Sequence, residues 1–371
     1  MHLEIERLQH LASERGVLSL AGGLPDPSLF PRHELQAACA SAIAAPRADA
    51  LQYAWPEGSA KLRAWIAERL TRRGARIGAD DVIVTSGAQQ ALSIASALVI
   101  SRGTLVRVDQ ASYPGALDLL RRAGAVLTGD GARPEVAYLM PGVRNPTGDA
   151  LSAEAQHACV AAARYVIADE AYAELRFDGQ LPPLALATAR ERTFHLGTFS
   201  KTLCPGLRIG FLVPPPSFLE KARALKQERD LRAPTLSQAM LEHPLLADRY
   251  DELLSIARRT YASRAERLVA AIRRHLPRAR FADPEGGFSV FVETGVRGDA
   301  VSLLERAITR GVTFDPGLPF LRTGRSDEIS FRLCHSTIDP RCIEFAVARL
   351  ASALATFVQS RTTHRLAAVA G

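Results

Sequence analysis

The chain has 371 residues, 47% hydrophobic and 23% charged, with 26 Gly and 22 Pro. That composition excludes collagen-like, coiled-coil and disordered classes. The net charge is +7 from 46 basic and 39 acidic residues, and only four of the basic ones are lysine: Lys61, Lys201, Lys221 and Lys226. The arginines are spread along the chain among acids, as in Arg258–Arg267, which reads as a solvated helical surface and not a nucleic-acid patch. No apolar run reaches the roughly 18 residues of a membrane span. Met1–Glu6 carries acid and no apolar core, so no signal peptide is expected. The five cysteines, Cys39, Cys159, Cys204, Cys334 and Cys342, are scattered without a paired motif, as in a reduced, cytoplasmic protein.

Between about residues 50 and 215 short apolar runs alternate with helical patterns. Strands are predicted at Asp81–Thr85, Thr104–Val108, Val136–Met140, Tyr165–Ala168, Phe194–Gly197 and Arg208–Val213. Helices are predicted at Gln89–Ile100, Gly115–Arg122 and Ala153–Arg164. Such alternation argues for an α/β fold with a mostly parallel sheet covered on both faces, with ligands beyond the carboxyl ends of the strands. The later part differs, with arginine- and leucine-rich helices at Ser217–Leu231 and Leu245–His275. Strands at Gly287–Glu293 and Glu328–Leu333 and a last helix at Arg341–Phe357 complete a smaller α+β unit. Gly197–Thr202 imitates the end of a phosphate-binding P-loop, but Ser200 stands where that motif needs glycine, and no dinucleotide-binding glycine motif follows a strand.

Three strings fall at predicted strand ends: Asn145-Pro-Thr-Gly148, Asp169-Glu-Ala-Tyr172, and Thr198-Phe-Ser-Lys201 with Arg208 seven residues on. One chemistry accounts for all three. A lysine amine in apolar surroundings (Phe199, Leu203) forms a Schiff base, and pyridoxal phosphate is the usual aldehyde. Its pyridine nitrogen stays protonated beside a carboxylate. Its phenolate oxygen takes hydrogen bonds from an Asn amide and a Tyr hydroxyl. Its phosphate takes hydroxyls, an arginine and the backbone N–H groups of a helix start.

These strings resemble the fold-type I pyridoxal-phosphate enzymes of aminotransferase class I/II, in particular 2-aminoadipate-type transaminases and the transaminase domains of GntR-type bacterial regulators. The resemblance runs from Leu20 to about Ala355. It implies a large, mostly parallel PLP-binding domain at 46–235, a small α+β C-terminal domain at 236–371, and an N-terminal segment, 1–45, packed with the small one. In that pattern Lys201 holds the cofactor as an internal aldimine and shuttles the Cα proton. Asp169 pairs with the pyridine nitrogen; on its own it reads as a helix cap. Tyr172 and Asn145 reach the phenolate oxygen, Asn145 alone being a turn residue before Pro146. Gly87, Ala88 and Gln89 open the helix that cradles the phosphate, with Ala88 where relatives often carry a hydroxyl. Thr198, Ser200 and Arg208 complete that cradle, and Tyr113 stacks on the pyridine or else packs in the core. Tyr53 reaches the neighbouring subunit's phosphate in a homodimer, or else packs locally on Trp55.

Arg332 alternates away from the apolar face of Ile329, Phe331 and Leu333, and the resemblance makes it the clamp for the substrate α-carboxylate. Gly22 and Gly23 match the segment that lines the substrate pocket, where some aminoadipate relatives carry an arginine that is absent here; a strict dicarboxylate preference is therefore not expected. The chain is shorter than relatives between Thr128 and Tyr138. Cys334 and His335 are adjacent on a strand, cannot share a metal from one face, and read as packing groups. The implied activity is transfer of an α-amino group between an amino acid and a 2-oxo acid. A PLP-dependent lyase, cyclase or decarboxylase shares the same motifs. A cofactor or amino-acid sensor is a third reading, but the related regulators carry an upstream winged helix, and about twenty residues precede Ala21 here.

Overall fold

Apolar runs without polar alternation form the centre of the larger sheet, because strands buried on both faces need no polar side. In the computed structural model, which describes residues 7–10, 16–47 and 49–370 with side chains as far as residue 359, there are two sheets. Met1–Glu6, the stretch read for a signal peptide, lies outside the described residues. The strands are β1 (Leu18–Leu20), β2 (Ile83–Thr85), β3 (Leu105–Arg107), β4 (Val126–Thr128), β5 (Val136–Leu139) and β6 (Tyr165–Asp169). They continue as β7 (Thr193–Thr198), β8 (Gly210–Val213), β9 (Ser289–Arg297), β10 (Val312–Pro316) and β11 (Glu328–Cys334).

The seven-stranded sheet has the order β2-β8-β7-β6-β5-β3-β4. Its β3–β4, β3–β5, β5–β6 and β6–β7 pairs are parallel, and β8 runs antiparallel to both neighbours. That one reversal matters for the site. Thr198 at the end of β7 and Thr85 at the end of β2 both pair with Gly210 at the start of β8. The loop entering β8 therefore reaches the same rim that the other strands exit from.

The smaller sheet has the order β1-β10-β11-β9, with β1 parallel to β10 and the other pairs antiparallel. Leu20, Phe314, Ile329, Phe331 and Leu333 form its core with helices Ala300–Thr309 and Ile343–Ala370. The predicted helix Leu245–His275 is two helices: Pro244–Ala247, opened by its proline and capped by His243, and then Tyr250–His275. The long one is about 39 Å from end to end. Tyr250, Leu254 and Tyr261 pack in the larger core and Leu268 and Ile272 in the smaller, so one rigid rod joins the two.

Two histidines are buried outright in this framework, His195 on β7 and His335 after β11. Burial pushes their imidazoles down from 6.5 to about 4 and about 3, respectively. A neutral folded imidazole with an ordinary unfolded one gives stability that is complete above pH 6.5 and declines as the pH falls toward the folded values. The slope is about 1.4 kcal/mol per pH unit for each histidine. Urea midpoints of the cofactor-free protein should therefore drop between about pH 7 and about pH 5; a flat profile across that window contradicts the buried neutral state.

Candidate active site

Four loops leave the carboxyl rim of the larger sheet together. After β2 comes the turn Ser86-Gly87, with helix Ala88–Val99 behind it. After β5 comes the Asn145 loop, after β6 Asp169–Tyr172, and after β7 Ser200-Lys201. Gly87 caps its helix at φ 95°, a backbone conformation glycine adopts without strain. The helix start has no side-chain cap, so its first N–H groups face the rim. Arg208, itself left-handed at φ 53°, donates from Nη2 to Ser86 O at 3.2 Å. Gly210 allows the close approach: a Cβ there would stand 2.6 Å from the Gly87 carbonyl carbon. The Thr198 hydroxyl lies 3.1 Å from Ser200 Oγ, and Ala88 contributes no hydroxyl. Thr198 donates to Ile209 O at 3.0 Å, so helix N–H groups, a guanidinium and the Ser200 hydroxyl make a donor set for a phosphate dianion. Gln89 is exposed, and its side-chain amide donates to Gly115 O at 3.3 Å.

The same turn is braced from behind by residues that sequence reading missed. Ser86 Oγ donates to Asp230 Oδ2 at 2.8 Å, and Lys226 pairs with the other oxygen of Asp230. The sequence places Lys226 in an arginine-rich helix; its side chain is fully buried, and burial lowers its amine from 10.5. The i,i+4 spacing to Asp230 was the available clue.

Asp169 is buried at the end of β6. Its Oδ2 accepts from Tyr138 Oη at 2.9 Å and its Oδ1 from the Ala171 N–H at 3.1 Å. Among the described residues no basic group forms an ion pair with it, and burial raises its carboxyl above 3.8. Tyr138 was not singled out in the sequence. On β5 it sits opposite Ile167, which shares a face with Asp169 by strand alternation, so only the register reveals the pair.

A cavity of about 310 Å³ lies next to this carboxylate, lined by Gly22, Gly23, Tyr113, Asn145, Tyr172, Lys201, Asp315, Phe320 and Arg332 among others. Lys201 Nζ is 3.5 Å from Gly23 O and 5.6 Å from the Tyr172 ring centre. Tyr172 rests edge-on against Phe288. Tyr113 occupies space left by Gly115, where a Cβ would come within 2.6 Å of its ring. Burial and the nearby Asp169 raise the Tyr113 phenol above 10. Arg332 reaches the cavity from β11, donating from Nη1 to Asn145 Oδ1 at 3.0 Å and from Nε to Asp315 Oδ2 at 2.9 Å. Tyr53 stands apart: it is 76% exposed, and the Arg232 guanidinium, not Trp55, covers its ring at 4.5 Å.

Residues 134–350 match the family described as aminotransferase class I and II. The chain is 36% identical to a 2-aminoadipate transaminase of Thermus thermophilus, over 94% of this chain and 93% of the relative. The chain belongs to the class I and II aminotransferases. Its fold is similar to that of an α-aminoadipate aminotransferase, also from Thermus thermophilus, solved with N-(5'-phosphopyridoxyl)-L-leucine. That match has a TM-score of 0.86 at 32% identity and covers 96% of this chain and 95% of the other. A kynurenine aminotransferase of Pyrococcus horikoshii matches with a TM-score of 0.88 at 26% identity, covering 95% and 94%.

The cofactor of this aminotransferase is pyridoxal 5'-phosphate, and the site suits it on its own terms. The uncapped helix start and Arg208 present the donors a phosphate takes, and the buried Asp169, in no ion pair among the described residues, suits a protonated pyridine. Asp169→Asn keeps an oxygen for the Ala171 N–H while removing the buried charge. The cofactor-free variant should be more stable than the cofactor-free wild type by about 1 kcal/mol, a rise of about 1 °C in melting temperature. Added pyridoxal phosphate should then raise its melting temperature less than it raises the wild type's. A cofactor-free variant that melts below wild type contradicts the uncompensated carboxylate.

Proposed function

We propose that this aminotransferase moves the α-amino group of an amino acid to a 2-oxo acid using Lys201, Asp169 and Arg332 as its principal groups. The observation that carries the reading is their convergence. The Lys201 amine and the Arg332 guanidinium open into one cavity with Tyr113, Asn145 and Tyr172, and the Lys201 charge acts on the buried Asp169 carboxylate. When bound, the cofactor supplies an electron sink conjugated to the substrate Cα.

The chain's own residues do the rest. Gly87, Ala88 and Gln89 at the helix start, with Thr198, Ser200 and Arg208, hold the phosphate. Asp169 keeps the ring nitrogen protonated. Tyr113 covers the ring face, and Asn145 and Tyr172 supply hydrogen bonds to the ring oxygen. Arg332, with Gly22 and Gly23 against it, orients the substrate through its α-carboxylate. Lys201 Nζ then takes a proton from Cα and returns it; among the described residues lining the cavity it is the one amine suited to the work. A guanidinium cannot replace it, since it stays charged at neutral pH.

Lys201→Ala should abolish the visible absorbance that the wild type gains on addition of pyridoxal phosphate; an unchanged spectrum would sink the assignment of Lys201. Mixing the loaded enzyme with a panel of amino acids should yield one oxo acid per site, with the amino group kept on the cofactor. Release of ammonia or carbon dioxide with regeneration of the aldehyde points instead to a lyase or decarboxylase.

We also propose a homodimer, with Tyr53 completing the neighbouring subunit's phosphate site. Support comes from an exposed apolar cluster of Leu51, Tyr53 and Trp55, set apart from the cavity of its own chain. Tyr53→Ala should weaken cofactor binding. Mixed one-to-one with Lys201→Ala, it should regain tight, lysine-bound loading in about a quarter of all sites, because hybrid dimers contain one intact site. No recovery would place Tyr53 in its own chain's site.

A further inference from the structure

The clamp arginine comes with a carboxylate of its own. Asp315 on β10 is the direct partner of Arg332 in the β10–β11 register. Its Oδ2 accepts from Arg332 Nε at 2.9 Å, from Arg332 Nη2 at 2.7 Å and from the Gly22 N–H at 3.0 Å. Its Oδ1 accepts from Gln9 Nε2 at 2.7 Å. Both charged side chains are only 11% exposed, and both line the cavity.

A planar guanidinium offers a carboxylate more than one pair of N–H groups. Asp315 holds the Nε/Nη2 edge, Asn145 Oδ1 holds one hydrogen of Nη1, and the Phe320 ring lies 4.7 Å from the guanidinium carbon. Gly23 closes on the group: a Cβ there would stand 3.0 Å from Nη1. What remains for a substrate is the Nη1/Nη2 end. It suffices for one α-carboxylate bound by two directed hydrogen bonds.

The charge balance is different from the geometry. Arg332 and Asp315 cancel, and the only other cation among the described residues lining the cavity is Lys201, which the cofactor occupies. The remaining wall includes Pro316, Pro319 and Phe320, which offer a second carboxylate no side-chain partner. Asp315 would repel such a group from inside the same pocket.

We infer that Asp315 is a specificity-determining residue: it fixes Arg332 for one α-carboxylate and cancels its charge. The site is thereby reserved for amino acids and oxo acids with a single carboxylate and an uncharged side chain. This rests on the transaminase reading above.

The test uses the loaded enzyme in single turnover, with leucine and 2-aminoadipate as the mono- and dicarboxylate probes. Wild type should favour leucine by about tenfold or more in rate at low substrate concentration. Asp315→Asn keeps an acceptor for Arg332 and Gly22 but not the charge, and should shift the preference toward 2-aminoadipate by about tenfold. Asp315→Ala removes the acceptor too, and leucine turnover at low concentration should fall by about tenfold. Dissociation constants of two unreactive acids, 4-methylpentanoate and hexanedioate, read from the bound cofactor's spectrum, should shift in the same pattern. A wild type that prefers 2-aminoadipate, or an Asp315→Asn variant whose preference is unchanged, overturns the inference. The visible absorbance of the lysine-bound cofactor separates the two levels. Its absence in wild type overturns the cofactor chemistry itself, whereas its presence with an unmoved preference overturns only the role of Asp315.

Discussion

A carboxylate at the end of a buried strand, in no ion pair among the described residues, is the constraint around which the site is arranged. Asp169 is buried on the middle strand of the larger sheet and accepts from one phenol and one backbone N–H. Two neutral donors reduce the desolvation cost of a buried charge without removing it, which is why burial still raises this carboxyl. A bound group carrying a proton on a ring nitrogen relieves that cost directly. The same logic places the carboxylate on a central parallel strand, where solvent cannot screen it.

Topology brings the other groups to that point. Thr85, Asn145, Asp169 and Lys201 lie far apart in sequence, yet all follow strands that leave one edge of the sheet. Arg208 would fall on the opposite edge if β8 were parallel; its reversal puts Arg208 within reach of the Gly87 turn. The smaller sheet delivers Arg332, and the helix Tyr250–His275, rooted in both cores, fixes where it is delivered. The segment after β1 adds Gly22 and Gly23 to the same wall, because β1 is parallel to β10 and ends beside Asp315.

The candidate strings were legible in the sequence because each lies at or within a few residues of the end of an apolar run. Locating the strand therefore locates the chemistry. What stayed hidden depends on pairing across the chain. Tyr138 and Asp169 meet through the β5–β6 register, and Asp315 and Arg332 through the β10–β11 register; neither can be read from one strand. The three-residue strands β1 and β4 are too short to show a period, and Lys226 escapes notice because its helix is polar around most of its surface. The connection after β4 borders a feature that sequence could not size. Beside it a cleft of about 1190 Å³ lies between the sheets, lined by Arg107, Arg144 and Arg322, each already held by an acid or a carbonyl.

The charged residues of the two cores separate by what they leave unpaired. Lys226 has Asp230, and Arg107 and Arg144 have their aspartates, so these groups carry structure and offer little to a ligand. Arg208 donates to a backbone carbonyl and pairs with no carboxylate among the described residues, so its charge is available to an anion. Arg332 falls between these cases: its charge is cancelled but one end of its guanidinium is open. A group in that state recognises shape and hydrogen-bond direction more than net charge. Within one chain, then, Arg208 keeps a charge open to an anion, whereas Arg332 keeps only directed N–H groups.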